Sequence, residues 1–99
     1  SYGNQALILK AGGRLDEAMA LLQEQEAICE QLGDRAGLAS SYTNQGVLHK
    51  TRNQIEEARK MYKRALAIFT ELRMPRERDI VQRNLDNLPP QADSASSGA

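Results

Sequence analysis

Sliding this chain against itself by forty residues superimposes like side chains along most of its length. Ser1, Tyr2, Asn4, Gln5 and Lys10 fall on Ser41, Tyr42, Asn44, Gln45 and Lys50. Glu17, Ala18, Ala27, Ile28 and Leu32 fall on Glu57, Ala58, Ala67, Ile68 and Leu72, with Leu15/Ile55 and Asp16/Glu56 as conservative matches. Asn84-Leu85 opens a third copy that soon breaks off. A period of this length means stacked supersecondary units, each unable to bury its apolar face alone.

The clearest unit is Tyr42–Leu72, which reads as two helices around a break near Thr51-Arg52-Asn53. Ile55, Ala58, Met61, Tyr62, Ala65, Ile68, Phe69 and Leu72 recur at three- and four-residue spacing and define one helical face. The same reading predicts a helix over residues 1–11, stopped by Gly12-Gly13. A second follows over Leu15–Leu32, with Leu15, Ala18, Leu22, Ile28, Cys29 and Leu32 on its apolar face. Gly33 suits a left-handed stop, and Asp34 can cap a third helix running to about Arg52. The fourth runs from about Asn53 to Arg73. Pro75 is tolerated in a first turn, ahead of a fifth helix over roughly 76–87 with Ile80, Val81, Leu85 and Leu88 as its apolar side. Pro89-Pro90 stops it, and the small polar tail after it is expected to be disordered.

No alternating run or hairpin turn signals a strand, and short connections imply antiparallel neighbours. The expected fold is therefore all-α: about five helices in stacked helix–turn–helix units over residues 1–33 and 34–73. Residues 74–88 read as a C-terminal capping helix and 89–99 as the tail. At 40% hydrophobic and 26% charged, the chain has the balance of a soluble globular domain. With one Phe and no Trp, its core must be mostly aliphatic and its helices close together.

Formal net charge is zero, yet the first forty residues carry an excess of acid and residues 41–88 an excess of base. That balance argues against a nucleic-acid binder. A single Cys29 forms no internal disulfide and fits a reducing, cytoplasmic setting. No His/Cys cluster offers a metal site, nothing calls for a cofactor, and no apolar run is long enough to cross a membrane. A start at Ser1 in apparent mid-helix suggests a piece of a longer array, with an open N-terminal end through which copies could associate.

The unit resembles the tetratricopeptide repeat. Tyr42, Gly46, Ile55, Ala58, Tyr62 and Ala65 fill that family's slots, as do Tyr2, Ala6, Leu9, Gly13, Leu15, Ala18 and Leu22. Small residues at Gly46/Ala6 and Ala58/Ala18 stand where paired helices cross closely. The forty-residue period is similar to the extended subclass of kinesin light chains and Asn-rich peptide-binding scaffolds. Gln5, Gln45 and His49 depart from the pattern where large apolar residues are commoner, and Gln25 stands where Ala65 is small. Gln82, Asp86 and Pro89 break it in the third copy. The resemblance implies a right-handed α-solenoid whose first helices line a concave groove, and a non-enzymatic role in holding a peptide or protein.

On that scheme Asn4, Asn44 and Asn84 take equivalent turns one step apart along the groove. A carboxamide donates and accepts at once, so such a row can pair with an extended peptide backbone. Thr43, Val47 and Arg83 flank it, and Lys10, Lys50 and Arg83 could take a carboxylate. The alternative use of the Asn row is bonding within the scaffold. His49 has no nucleophile or carboxylate partner for catalysis and is expected to pack between helices. Cys29 is expected to be buried and inert. Arg59, Lys60, Lys63 and Arg64 form a cationic patch that reads as a solvated outer face. A different use of the same array is as the sensor or regulatory region of a multidomain signalling ATPase or transcriptional regulator.

Overall fold

The structure is a computed structural model and describes residues 14–90. Four helices follow one another: α1 (Leu15–Leu32), α2 (Arg35–Thr51), α3 (Ile55–Glu71) and α4 (Pro75–Asp86). All regular structure among the described residues is helical. Four helices stand against an expectation of five, because residues 1–11 lie outside the described residues; so do residues 91–99 of the expected tail. The helix starts keep the sequence period, with Leu15 answering to Ile55 and Arg35 to Pro75.

Each of the first three helices ends in the same way. Gly33, Asn53 and Arg73 take left-handed conformations with φ of 70°, 62° and 57°. The next amide then reaches back to the last turn: Asp34 to the Cys29 carbonyl, Gln54 to His49 and Met74 to Phe69, at 2.8–3.0 Å. This pattern satisfies carbonyls that a helix end otherwise leaves unpaired. Asp34 then starts α2 by accepting the Gly37 amide at 2.9 Å, and Pro75 opens α4 where no N–H is needed.

Three contacts establish that consecutive helices run antiparallel. Asp16 at the start of α1 pairs with Arg52 just past the end of α2. Arg35 at the start of α2 pairs with Glu71 at the end of α3, at 2.7 Å. Arg59 in α3 donates to the Pro89 carbonyl beyond α4. Exposed ion pairs contribute about 1 kcal/mol or less, so the first two report the arrangement more than they hold it.

What holds it is apolar. Cys29, Leu38, Ala39, Tyr42, Ala58, Tyr62, Ala65, Ile68, Phe69, Val81 and Leu88 form one buried cluster through all four helices. Ala18, Met19, Leu22 and Leu48 form a second where α1 meets α2. At the α2–α3 crossing a Cβ on Gly46 would lie 2.6 Å from the Tyr62 ring, and that ring is itself 1% exposed. Gly46 and the fully buried Ala58 are thus small for the reason read from the sequence.

The apolar face assigned to α1 needs correction at its C-terminal end. Ile28 is 37% exposed and Leu32 77%, whereas Ile68, the counterpart of Ile28, is 6% exposed. In the second unit the start of α2 supplies Leu38 and Ala39 to the cluster that contains Ile68, beside the Arg35–Glu71 pair. No preceding helix start covers α1 in this way among the described residues.

Two glycines separate backbone strain from crowding. Gly33 has a positive φ but open space around it, so Gly33→Ala should cost about 1 kcal/mol, the ordinary penalty of a left-handed alanine. Gly46→Ala must displace a buried ring and should cost about 1–3 kcal/mol. Arg73→Gly relieves the same backbone strain and should leave stability unchanged or raise it by up to about 1 kcal/mol. Urea unfolding of the three variants, followed by helical circular dichroism, gives the order.

Candidate functional site

Short turns set α2 and α4 side by side over α3, and between them lies an open hollow of about 180 Å³. Ser40, Thr43 and Asn44 form the α2 wall, while Glu77, Ile80 and Val81 form the α4 wall. Phe69 of α3 lines it from below and is 3% exposed. Each wall is a helical stripe with i, i+3, i+4 spacing, so one helix face presents all three side chains. The hollow is smaller than the roughly 300–1,000 Å³ of small-molecule pockets, which suits a side chain better than a whole cofactor.

The lining is amphipathic by a simple device. Thr43 gives its hydroxyl back to the Ala39 carbonyl at 2.9 Å, leaving its methyl group as its free surface. Ile80 is 47% exposed on the rim, although Val81 beside it is buried. Glu77 is half-buried and supplies the one ionisable group of the lining. Asn44 is half-buried, and its carboxamide makes no hydrogen bond to another described residue.

The other expected site residues are placed less uniformly. Asn84 is half-buried on α4 one turn past Ile80 and Val81, and it too has no side-chain partner among the described residues. Val47 is turned to the core and packs against the large cluster. Lys50 and Arg83 are exposed, and neither lines the hollow. Asn4 and Lys10 lie outside the described residues. Equal register does not make residues face one another: the α4 wall opposite Thr43 and Asn44 lies about one turn before their counterparts Arg83 and Asn84. Ser40, Phe69 and Glu77 were not singled out by the sequence pattern. The signal for Ser40 and Glu77 was their stripe spacing, whereas Phe69 is visible only once the helices are packed.

Away from the hollow, the cationic patch divides. Arg64 lies over the Tyr42 ring, 5.7 Å from its centroid. Burial, then the Glu26 and Glu30 carboxylates, pushes the Tyr42 phenol above its ordinary range, with Arg64 and Arg35 opposing. Arg59 is tied to Glu56 and to Pro89. Lys60 and Lys63 remain exposed. Gln45, at an unusual position for a polar side chain, is 3% exposed and donates to Glu26 at 2.8 Å and to Ser41 at 3.2 Å. Ser41 in turn donates to the Leu22 carbonyl at 2.6 Å. His49 is half-buried, with Nδ1 2.8 Å from Gln54 Oε1. Among the described residues no group of three or more His, Cys, Asp or Glu could hold a metal, and no helix is long and apolar enough to cross a membrane.

Antiparallel helices in a forty-residue period, with a groove between alternate ones, define a helical-repeat protein. The family model of the tetratricopeptide repeat matches residues 1–71, and the chain belongs to that family. Such repeats generally mediate protein–protein interaction. Searches of curated proteins and of solved structures gave no match.

Cys29 has the environment of a packing residue. It is 7% exposed, its Sγ lies 3.9 Å from Asp34 Oδ2, and burial followed by that carboxylate pushes the thiol pKa up. A raised thiol pKa leaves less thiolate at neutral pH. Labelling of the folded protein with an aromatic disulfide reagent at pH 7 should be far slower than in urea, and should speed up as pH rises. Equal rates in the two conditions would show an open thiol.

Proposed function

We propose that this protein is an interaction module that holds an extended peptide, or a helix of a partner protein, along the groove between α2 and α4. The carrying observation is Asn44: a half-buried carboxamide without a hydrogen-bond partner among the described residues, standing on the wall of an apolar hollow. A side-chain amide kept out of the scaffold's own bonding is free to pair with both polar groups of a peptide unit. The hollow beside it takes one apolar side chain of that peptide, between Ile80 and Phe69. Asn84 extends the polar row along α4. Grooves of this kind are a recurring mode of peptide recognition in stacked repeats. Lys50 and Arg83 lie outside the hollow and act, if the ligand is long, on its flanking charges.

The forty-residue period supports the extended subclass of the family, built as a right-handed solenoid. Residues 74–88 act as its cap. The counterparts of Tyr42, Gln45 and Gly46 are Gln82, Leu85 and Asp86, and Gln82 donates to Asp86 at 2.9 Å. An aspartate at the Gly46 position would collide with a further helix crossing as Tyr62 does. The outward side of α4 therefore closes the stack with polar groups, as terminal repeats do.

Peptides selected from a random display library against the protein supply the probe. Asn44→Ala should weaken their binding about tenfold, the loss of a hydrogen-bond pair at roughly 1–1.5 kcal/mol, and Ile80→Asp should abolish it. Helical circular dichroism should not change for either. Selected peptides whose affinity ignores both substitutions would place binding elsewhere and refute the groove reading.

A further inference from the structure

The groove uses α2 and α4. The outward faces of α1 and α3 are left, and they differ in sign at equivalent positions. On α1 the exposed residues include Ala20, Gln23, Glu24, Ala27 and Glu30; on α3 their counterparts are Lys60, Lys63, Arg64, Ala67 and Thr70. Glu24, Glu30, Lys60 and Lys63 have no ion-pair partner among the described residues. An acidic face and a basic face are complementary to each other.

We infer that these faces bind a second copy of this chain, α1 of each copy lying antiparallel against α3 of the other. A twofold axis makes both contacts at once, since one surface pairs with another and the reverse contact follows by symmetry. Glu24 and Glu30 then meet Lys60 and Lys63. Ala20, Ala27 and Ala67 are small at the centre, which lets helices approach to about 8–10 Å between axes. Two helix pairs, each about 26 Å long at 1.5 Å per residue, give room for a contact on the order of 1,200 Å² or more. The charges set the pairing and its rate. This surface lies apart from the α2–α4 groove, so the dimer holds two groove sites and stands or falls independently of what they bind.

The test uses sedimentation velocity over a wide concentration range, in low salt and in about 0.5 M salt. A dimer whose dissociation constant rises at least tenfold in high salt is expected, because exposed charges are screened there. Two charge-reversed proteins then isolate the surface. Lys60→Glu with Lys63→Glu makes both faces acidic, and Glu24→Lys with Glu30→Lys makes both basic. Each alone should be monomeric with unchanged helical circular dichroism, and an equimolar mixture should form the heterodimer. A wild-type protein that stays monomeric into the millimolar range in low salt overturns the proposal. So does self-association by either reversed protein at wild-type strength, or a mixture that remains monomeric.

Discussion

The α2–α3 crossing is the contact on which the other contacts rest. Gly46 lies against the Tyr62 ring at a distance that admits no Cβ, and Ala58 and Ala65 are fully buried on the same side of α3. Close approach there lets Tyr42, Leu38 and Ala39 of α2 reach Ile68 and Phe69 of α3 in one cluster. Phe69 in turn comes to lie beneath the hollow between α2 and α4. A wider crossing would withdraw that floor. The groove is thus a consequence of one missing side chain on its own wall helix, outside the lining itself.

The α1–α2 contact is built differently. Its apolar cluster is small, and beside it runs a buried polar chain from Glu26 through Gln45 and Ser41 to the Leu22 carbonyl. A buried carboxamide costs stability unless its groups are paired, and Gln45 places its NH₂ on two acceptors. Such a chain fixes how far α1 may slide along α2, since a shift of one turn would leave several polar atoms unpaired. A large apolar residue at Gln45 would pack as well but would not specify that register. The position that departs most from the family pattern is, on this argument, the one that sets the relation of the first unit to the second.

The helices were legible in the sequence because their ends obey local rules. Gly33 and Asp34 set a stop and a start within two residues, Pro75 marks a first turn, and the period repeats each boundary forty residues on. The close crossing at Gly46 was legible too, since small residues recur in register. Contacts that depend on how far one helix slides past another were not. Equal register made Thr43 and Arg83, and Asn44 and Asn84, equivalent positions one step apart, but it did not show that the α2 wall meets Glu77, Ile80 and Val81. Nor does helical spacing say what covers a face: Ile28 and Ile68 share a register and differ in burial because, among the described residues, only Ile68 has the start of a preceding helix, with Leu38 and Ala39, packed on it. In the basic patch Lys60, Lys63 and Arg64 are exposed, but the contacts of Arg59 with Pro89 and of Arg64 with Tyr42, both remote in sequence, were not legible.

The groove's second wall is also its least secured element. Within α4 only Val81 is buried, with Leu88 beyond it and the Arg59–Pro89 bond as a strap, and α4 packs chiefly on α3. Elements with few buried apolar contacts open at lower free energy than the core. A ligand that touches Asn44 on one wall and Ile80 on the other binds only while α4 is docked. It therefore stabilises the docked state by RT ln(1 + [L]/Kd), and its apparent affinity is lowered by whatever fraction of α4 is undocked. For a ligand held as proposed, recognition and the docking of α4 are in this way one equilibrium: Val81, which both docks α4 and lines the hollow, and Leu88 beyond it set how tightly the groove can hold it.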